Sequence, residues 1–313
     1  MPDPIDLLVL GDVNPDLILT GDVEPSFGQA ERLVDDARLT VGGSGAIVAC
    51  GAARLGTRVA LGGVVGDDHL GRFMRDELDR RGVMTTGLLV DPDRSTGMTV
   101  VLARPSDRAI LTYEGTIAEL RVDRLDPELV DSARHVHVAS FFLQHGLRGG
   151  LPELFERVRA RGVTTSVDPN WDPSERWDGG IRDLLPVTDV FLPNATEAIR
   201  IAGASTAEDA ATALAGSSDT TVAVKDGSGG AFAVRGGRLV RASAFSVDAV
   251  DTTGAGDAFD AGFLASRLAG DPLERSLAIA NASGALSTRA LGGVDAQPTM
   301  SEVIELLEGG DDR

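Results

Sequence analysis

The chain has 313 residues, of which 42% are hydrophobic, and a formal net charge of −19. So acidic a chain is not expected to bind nucleic acid or an anionic membrane, because no basic patch interrupts the acidity. Its amino end lacks the positively charged start of a signal peptide, and no apolar run reaches the roughly 18 residues that indicate a membrane span, so a cytoplasmic protein is expected.

Short apolar runs alternate with longer helical stretches, which is typical of βαβ units and a mainly parallel sheet. Strands are predicted at residues 5–10, 59–65, 135–139, 164–168, 189–192 and 221–224. Helices are predicted at residues 44–55, 71–81, 149–161, 196–202, 207–215, 255–268, 272–287 and 301–307. No linker interrupts this pattern, which predicts a single domain over residues 1–313.

Two stretches break the alternation, at residues 14–41 and 97–113. The first contains predicted strands at 17–20 and 38–41; the second contains strands at 98–103 and 109–113, joined by a turn at Pro105, Ser106 and Asp107. We interpret them as one small sheet over the carboxyl edge of the main sheet, where α/β proteins bind ligands. Such an insertion commonly acts as a lid, the alternative being surface hairpins with no role in binding.

The most informative segment places a carboxylate just behind two glycines at a predicted helix start: Asp251-Thr252-Thr253-Gly254-Ala255-Gly256-Asp257. Because glycine has no Cβ, a phosphate can approach this backbone and meet the free N–H groups of the first helical turn. Asp257 would then be placed to accept a proton from an attacking hydroxyl. A glycine turn with an acidic first-turn residue and no chemistry is the alternative.

Other nucleotide and hydrolase motifs are missing. The only lysine, Lys225, is preceded by Val224 and followed by Asp226, which excludes a Walker phosphate loop. A dinucleotide fingerprint starts at Gly43 but has Val48 at its third glycine position. No serine lies in a full Gly-x-Ser-x-Gly, so a hydrolase elbow is also missing.

Further motifs precede the glycine segment in a fixed order. They are Gly42-Gly43-Ser44-Gly45-Ala46, Gly63-Val64-Val65-Gly66-Asp67-Asp68, an Asn-x-x-Glu formed by Asn194 and Glu197, and Lys225-Asp226-Gly227-Ser228-Gly229-Gly230. In this order and spacing the chain resembles the ribokinase-like carbohydrate kinases, or PfkB family, over nearly its whole length. The resemblance implies a three-layer α/β/α sandwich with a mainly parallel central sheet and a small β-sheet lid.

The resemblance also implies an ATP-dependent kinase. Asp257 would be the general base, and the anion hole for the moving phosphoryl group would be the backbone of Gly254, Ala255, Gly256 and Asp257. Asn194 and Glu197 would organise Mg²⁺ largely through water, although they equally fit a helix capping box. Residues implied near the nucleotide are Asn194, Lys225, Gly227, Gly230, Asn281, Ala285 and Ser287.

Two of these implied roles have alternatives. Lys225 either binds phosphate or is an exposed strand-end lysine, partly neutralised by Asp226. Asp251 and Thr253 correspond to residues that bind K⁺ in many relatives, but Asp251 would also serve as a brace for the turn.

On the substrate side, the resemblance assigns sugar hydroxyls to Asn14 and Asp16, with Gly42 and Gly43 beside them; Asn-Pro-Asp is also ordinary turn chemistry. Ile47 stands where the family usually has asparagine, which suggests a more apolar pocket or an unusual substrate. An arginine common in relatives that take acidic substrates is replaced by Asp172. The cations left for an anionic sugar are lid arginines: Arg32, Arg38, Arg104 and Arg108.

A neutral sugar or sugar-like polyol is therefore the first expectation. A nucleoside is the second, with Phe27 or Tyr113 of the lid stacking on a base. A catalytically silent sugar-binding sensor is the main alternative outside enzymology. A homodimer through the exposed edges of the lid is also expected.

Overall fold

A nine-stranded sheet forms the centre of the fold in a computed structural model that describes residues 5–104, 107–216 and 219–310. Its strands are β1 (Ile5–Leu10), β4 (Val59–Gly66), β5 (Leu88–Asp91), β8 (Ala133–Val138), β9 (Thr164–Val167), β10 (Val190–Phe191), β11 (Thr221–Lys225), β12 (Ala231–Arg235) and β13 (Arg238–Ala242). They lie in the order β13-β12-β11-β10-β9-β8-β1-β4-β5. All neighbours pair in parallel except β11–β12 and β12–β13.

Helices cover both faces of this sheet. One layer contains α1 (Ser44–Arg54), α2 (His69–Arg80), α9 (Ala255–Leu268), α10 (Leu273–Ser287) and α11 (Met300–Gly310); the other contains α3 (Pro127–Ser132), α4 (His145–Arg148), α5 (Leu151–Arg159), α6 (Ile181–Leu184), α7 (Ala195–Ala202) and α8 (Ala207–Ala215). Strand β1 shows why both faces are covered. Its apolar run sends Leu7 and Val9 into one core and Leu8 and Leu10 into the other. Within the described segments, no helix has the length and apolarity needed to span a lipid bilayer.

The second sheet is built from the two stretches that break the alternation. Its strands are β2 (Asn14–Thr20), β3 (Asp36–Gly42), β6 (Met98–Arg104) and β7 (Asp107–Tyr113), in the order β3-β2-β6-β7, and only β2 and β6 pair in parallel. Their register aligns Thr40, Asp16, Thr99 and Thr112 in one row across the sheet. Of the predicted turn between β6 and β7, Pro105 and Ser106 lie outside the described residues.

The predicted α/β fold is confirmed, and every predicted strand and helix is present with small shifts at its ends. The sequence interpretation missed β5, the β12–β13 hairpin and the short helices α3, α4 and α6. Helices of four to six residues are too short to show a helical period. The hairpin could have been predicted from its Gly236-Gly237 pair. These glycines adopt positive φ angles of 54° and 75°, as a two-residue hairpin turn requires.

Two histidines of β8, His135 and His137, are buried beside β9. The hydroxyl of Ser166 lies 2.6 Å from Nε2 of His135 and 2.8 Å from Nδ1 of His137, and His135 also contacts Thr164. Burial lowers the pKa of His135 to about 3 and that of His137 to about 4. Both rings are therefore neutral in the fold at neutral pH, where they link the two strands by hydrogen bonds.

These histidines are expected to make the fold sensitive to acid. Their pKa values in the fold lie below the ordinary value of 6.5, so the unfolded chain binds more protons as the pH falls below about 6.5, and stability is lost progressively towards pH 4. The free energy of unfolding, measured with urea between pH 7.5 and 5, should change less with pH in His137→Gln than in the wild type. His69→Gln, at an exposed position of α2, is the control. If the free energy of unfolding of His137→Gln changed with pH as steeply as that of the wild type, the lowered pKa of His137 would be contradicted.

Candidate active site

The amino end of α9 forms an uncapped turn beside the carboxyl edge of the main sheet. Gly254 precedes the helix with a φ of 72°, and a Cβ there would lie 2.7 Å from the Cα of Gly293, so glycine is required. No described side chain caps this helix. A Cβ on Gly256 would meet only the side chain of Lys225, at 3.7 Å and beyond. The Ala255 N–H donates to the carbonyl of Thr252 at 3.3 Å, whereas the N–H groups of Gly256 and Asp257 have no described acceptor, as an anion site requires.

Asp257 lies in the first turn of α9, partly accessible to solvent. Burial raises its pKa to about 7, and the negative charges of Asp168 and Asp12 add to this, while Lys225 and a hydrogen bond with the Ser44 side chain oppose it. A carboxyl with a pKa of about 7 is partly deprotonated at neutral pH, which suits a general base.

Lys225 is enclosed between two carboxylates at the end of β11, with 13% of its side chain exposed. Its Nζ lies 2.7 Å from Oδ2 of Asp168 and 3.1 Å from Oδ1 of Asp260, and it makes no ion pair with Asp226 among the described residues. The alternative of an exposed strand-end lysine partly neutralised by Asp226 was therefore wrong, and the phosphate-binding role of Lys225 stays a prediction. The pKa of Asp168 is lowered, chiefly by Lys225 against the effect of burial, whereas burial raises the pKa of Asp260 well above its usual value. Asp260 is thus the protonated carboxyl of the two, and it donates a hydrogen bond to the Asp168 carboxylate.

Asn194 and Glu197 form the predicted capping box at the start of α7. The Glu197 N–H donates to Oδ1 of Asn194 at 2.9 Å, and the Asn194 N–H donates to Oε2 of Glu197 at 2.8 Å. Burial and the charge of Asp168 raise the pKa of Glu197 to about 7. Across the described ranges, no group of three or more His, Cys, Asp or Glu side chains could hold a metal on its own. The donor set fits Mg²⁺ held mainly by water and phosphate oxygens.

Asp251 braces the loop before α9. Its Oδ1 accepts hydrogen bonds from the N–H and the hydroxyl of Thr253 at 2.9 and 2.8 Å, and its Oδ2 accepts one from the N–H of Gly292 at 2.9 Å. Both carboxylate oxygens are thus engaged within the protein. The alternative reading of Asp251 as a brace has direct structural support.

The substrate-side residues meet where the small sheet approaches α1. Asp16 is buried; burial first, then the charges of Asp12 and Asp257, raise its pKa to about 7. Asn14 donates to Oδ1 of Asp16 at 3.3 Å, and a Cβ on Gly42 would lie 1.9 Å from that oxygen. Gly43 has a φ of 78° at the start of α1. These contacts bring Asn14, Asp16, Gly42 and Gly43 together, and their role in binding the sugar stays a prediction.

Ile47 lies beneath the α9 loop. Its side chain is 3% exposed and would be 3.1 Å from a Cβ on Gly254 and 2.6 Å from one on Gly293. It therefore packs against the backbone of the candidate anion site.

An apolar cleft of about 420 Å³ leads away from the α9 turn. Gly227, Gly230, Asn281 and Ala285 line it as expected, and Phe245 and Val247 add apolar surface. Asn281 donates both amide hydrogens to the carbonyls of Ala242 and Ser243, at 3.0 and 3.1 Å. Ser287 was wrongly expected here: it is buried and donates to the carbonyl of Gly284.

Comparisons with known proteins agree with this geometry. The family model of the pfkB family carbohydrate kinases matches residues 5–300. A ribokinase of Haemophilus influenzae is 29% identical, with 96% of this chain and 98% of that protein covered. An ATP-dependent ribose-1-phosphate kinase of Halopiger xanaduensis is 33% identical, with 96% and 97% covered. The structure of Arabidopsis thaliana ribokinase complexed with ribose and ATP has a TM-score of 0.84 at 24% identity, covering 97% of this chain and 99% of that one.

The chain belongs to the pfkB family of carbohydrate kinases. It is an ATP-dependent carbohydrate kinase that phosphorylates sugars, which confirms the predicted family, fold and enzyme class.

Sequence reasoning missed two residues that shape the site of this kinase. Asp12 accepts hydrogen bonds from the N–H groups of Ser44 and Gly45, at 3.0 and 2.9 Å, and so satisfies the start of α1. Asp260 holds Lys225 from α9. It follows Asp257 by three residues on the same helix, and this spacing, which puts side chains on one face, was a usable signal.

The charges around Lys225 predict losses of stability of very different size for two substitutions. Lys225→Met leaves Asp168 without its partner and should lower the free energy of unfolding by about 3–5 kcal/mol at pH 7. Asp260→Asn replaces a carboxyl that already holds a proton and should cost under about 1.5 kcal/mol. Urea unfolding measures both; equal losses would contradict the proton assignment.

Proposed function

We propose that the chain acts as one kinase domain, with residues 14–41 and 97–113 as its lid, and transfers the γ-phosphoryl group of ATP to a hydroxyl of a neutral sugar or sugar-like polyol. The observation that carries the proposal is Asp257, with its pKa of about 7, next to an uncapped helix start that opens on an apolar cleft. A base and an anion site side by side are the minimum that phosphoryl transfer needs.

In the proposed reaction the hydroxyl oxygen of the sugar attacks the γ-phosphorus while Asp257 takes the hydroxyl proton. The bond between the γ-phosphorus and the bridging oxygen breaks, and ADP leaves with the electron pair. The N–H groups of residues 254–257, of which that of Ala255 also donates to the carbonyl of Thr252, stabilise the equatorial oxygens of the moving group. Lys225 contributes less charge than a free lysine, because Asp168 and Asp260 already surround it.

Metal ions complete the proposal. Asn194 and Glu197 would hold Mg²⁺ through water, and Mg²⁺ would supply charge neutralisation at the phosphates. The raised pKa of Glu197 supports this role, since a nearby cation relieves the cost of its ionised form. For K⁺, the side chain of Asp251 is occupied by Thr253 and Gly292, so main-chain carbonyls would be the ligands.

A neutral acceptor is supported by the lid arginines. Arg32 pairs with Asp22, Arg38 with Asp295 and Arg104 with Glu24, so these three are engaged by carboxylates. The row of Thr40, Asp16, Thr99 and Thr112 offers hydroxyl and carboxylate groups, which suit a polyol.

The alternatives have less support. For a nucleoside, Phe27 is 99% exposed in a loop, and Tyr113 lies on the opposite face of β7 from Thr112 because side chains alternate along a strand. Neither is placed to stack on a base beside Asp16. A silent sugar-binding sensor would not need Asp257 with its raised pKa.

Replacing the base tests the function. Asp257→Asn should lower kcat roughly 10²–10⁴-fold while leaving ATP binding and the unfolding midpoint largely unchanged. Wild-type kcat/KM should rise with pH through about 7, because the base must lose its proton. Asp76→Asn, an exposed change of equal charge on α2, is the control. Near-normal turnover of Asp257→Asn would remove the base assignment.

The acceptor is identified by measuring ADP release over a panel of sugars, polyols and nucleosides with MgATP, with and without K⁺. Turnover restricted to nucleosides would favour the second candidate. Sugar binding without turnover on any acceptor would favour the sensor.

We also propose that two copies associate through the lid. Its face opposite the polar row exposes Leu39, Leu111 and Tyr113, by 41%, 61% and 57%. Light scattering should give a dimer that Leu111→Arg converts to a monomer, while Leu239→Arg on β13 has no effect. A monomeric wild type at assay concentration would contradict this.

A further inference from the structure

Arg108 reaches from lid strand β7 to the loop before α9. Its Nη1 lies 3.2 Å from the hydroxyl oxygens of both Thr252 and Thr253, and 3.6 Å from Oδ1 of Asp251. These contacts join segments more than 140 residues apart in the sequence. The lid and the anion site are therefore linked by this side chain.

Most of the guanidinium remains uncommitted. Its Nε and Nη2 make no hydrogen bond to any described residue, and the side chain is 37% exposed. The other lid arginines, Arg32, Arg38 and Arg104, are paired with carboxylates. Lys225 is enclosed by Asp168 and Asp260. Arg108 also pairs with a carboxylate, that of Asp251, but through Nη1 alone at 3.6 Å, so at this site it keeps Nε and Nη2 as donors without an acceptor in the described part of the chain.

Its position matches the phosphate end of the nucleotide cleft. Thr252, which Arg108 contacts, lines the cleft together with Ala255 and Gly256 of the anion site. A phosphate held by the N–H groups of α9 would therefore lie between the helix start and the guanidinium. Arginine presents planar, paired N–H donors that match phosphate oxygens.

We infer that Arg108 is a catalytic residue delivered by the lid: its guanidinium binds the phosphates of the nucleotide and neutralises charge on the γ-phosphoryl group during transfer. This inference rests on the proposed kinase function. The proton still passes from the sugar hydroxyl to Asp257 and the electron pair to ADP; Arg108 forms hydrogen bonds only. Because it sits on the lid, its charge arrives when the lid lies over the site, which couples transfer to closure.

The test compares Arg108→Ala, Arg108→Lys and the control Arg104→Ala, which removes a paired arginine from the same lid. With the best acceptor, Arg108→Ala should lower kcat by roughly 10²-fold or more at an unchanged KM for the sugar. Arg108→Lys should recover part of the loss, and added guanidinium should partly restore Arg108→Ala. Arg104→Ala should stay within about threefold of wild type, the range of a surface substitution.

A second measurement needs no acceptor. Calorimetry of MgADP with and without fluoroaluminate, a mimic of the moving phosphoryl group, should show tighter nucleotide binding with fluoroaluminate in wild type and Arg104→Ala. Arg108→Ala should lose that enhancement while binding MgADP alone nearly normally.

The two measurements separate this inference from the proposed function. If no acceptor supports turnover in wild type, the proposed function fails, and the fluoroaluminate comparison still decides the role of Arg108. Equal enhancement in wild type and Arg108→Ala, or no enhancement in wild type, overturns the inference. A kcat of Arg108→Ala within about threefold of wild type also overturns it and leaves Arg108 as a lid contact.

Discussion

A single buried ammonium group, that of Lys225, holds the site together. It joins three elements, since Lys225 ends β11, Asp168 follows β9 and Asp260 lies in α9. Removing the charges of Lys225 and Asp168 from water is costly and is offset only when their geometry is good, so the contacts of Lys225 fix how α9 sits against the sheet. The direction of the first turn of α9, and with it the anion site, depends on that placement. The main effect of Lys225 is thus to hold α9 in place against the sheet.

The parts of the site that sequence patterns predicted are local. The glycines before α9, the capping box of Asn194 and Glu197, and the glycine turn after β11 each depend on backbone geometry within a few residues. The partners of Lys225 are different, because they lie 57 and 35 residues away and no pattern links them. The neutralising residue suggested by sequence, Asp226, was merely adjacent in the chain.

For the fold, too, the sequence predicted what a local pattern shows and missed what it does not. Long strands and helices with a clear period were predicted, whereas β5 and the helices of four to six residues lacked one. Ile47 shows how a departure from a family pattern can be misread. Its substitution suggested a changed sugar pocket, yet the side chain packs under Gly254 and Gly293. Only the packed structure reveals which neighbour a buried side chain supports.

The two carboxylates proposed to face the acceptor also bear on the charge that the acceptor can carry. Asp16 and Asp257 each have a pKa of about 7, and each is raised in part by negative neighbours, Asp12 among them. A neutral polyol donates hydrogen bonds to both carboxylates and so favours the ionised form that a base requires. An anion between them would raise both pKa values further and leave Asp257 protonated. The repulsion that adds to the effect of burial on the pKa of Asp257 therefore favours an uncharged acceptor, and it places the need for positive charge on the proposed phosphate side, where Arg108 lies.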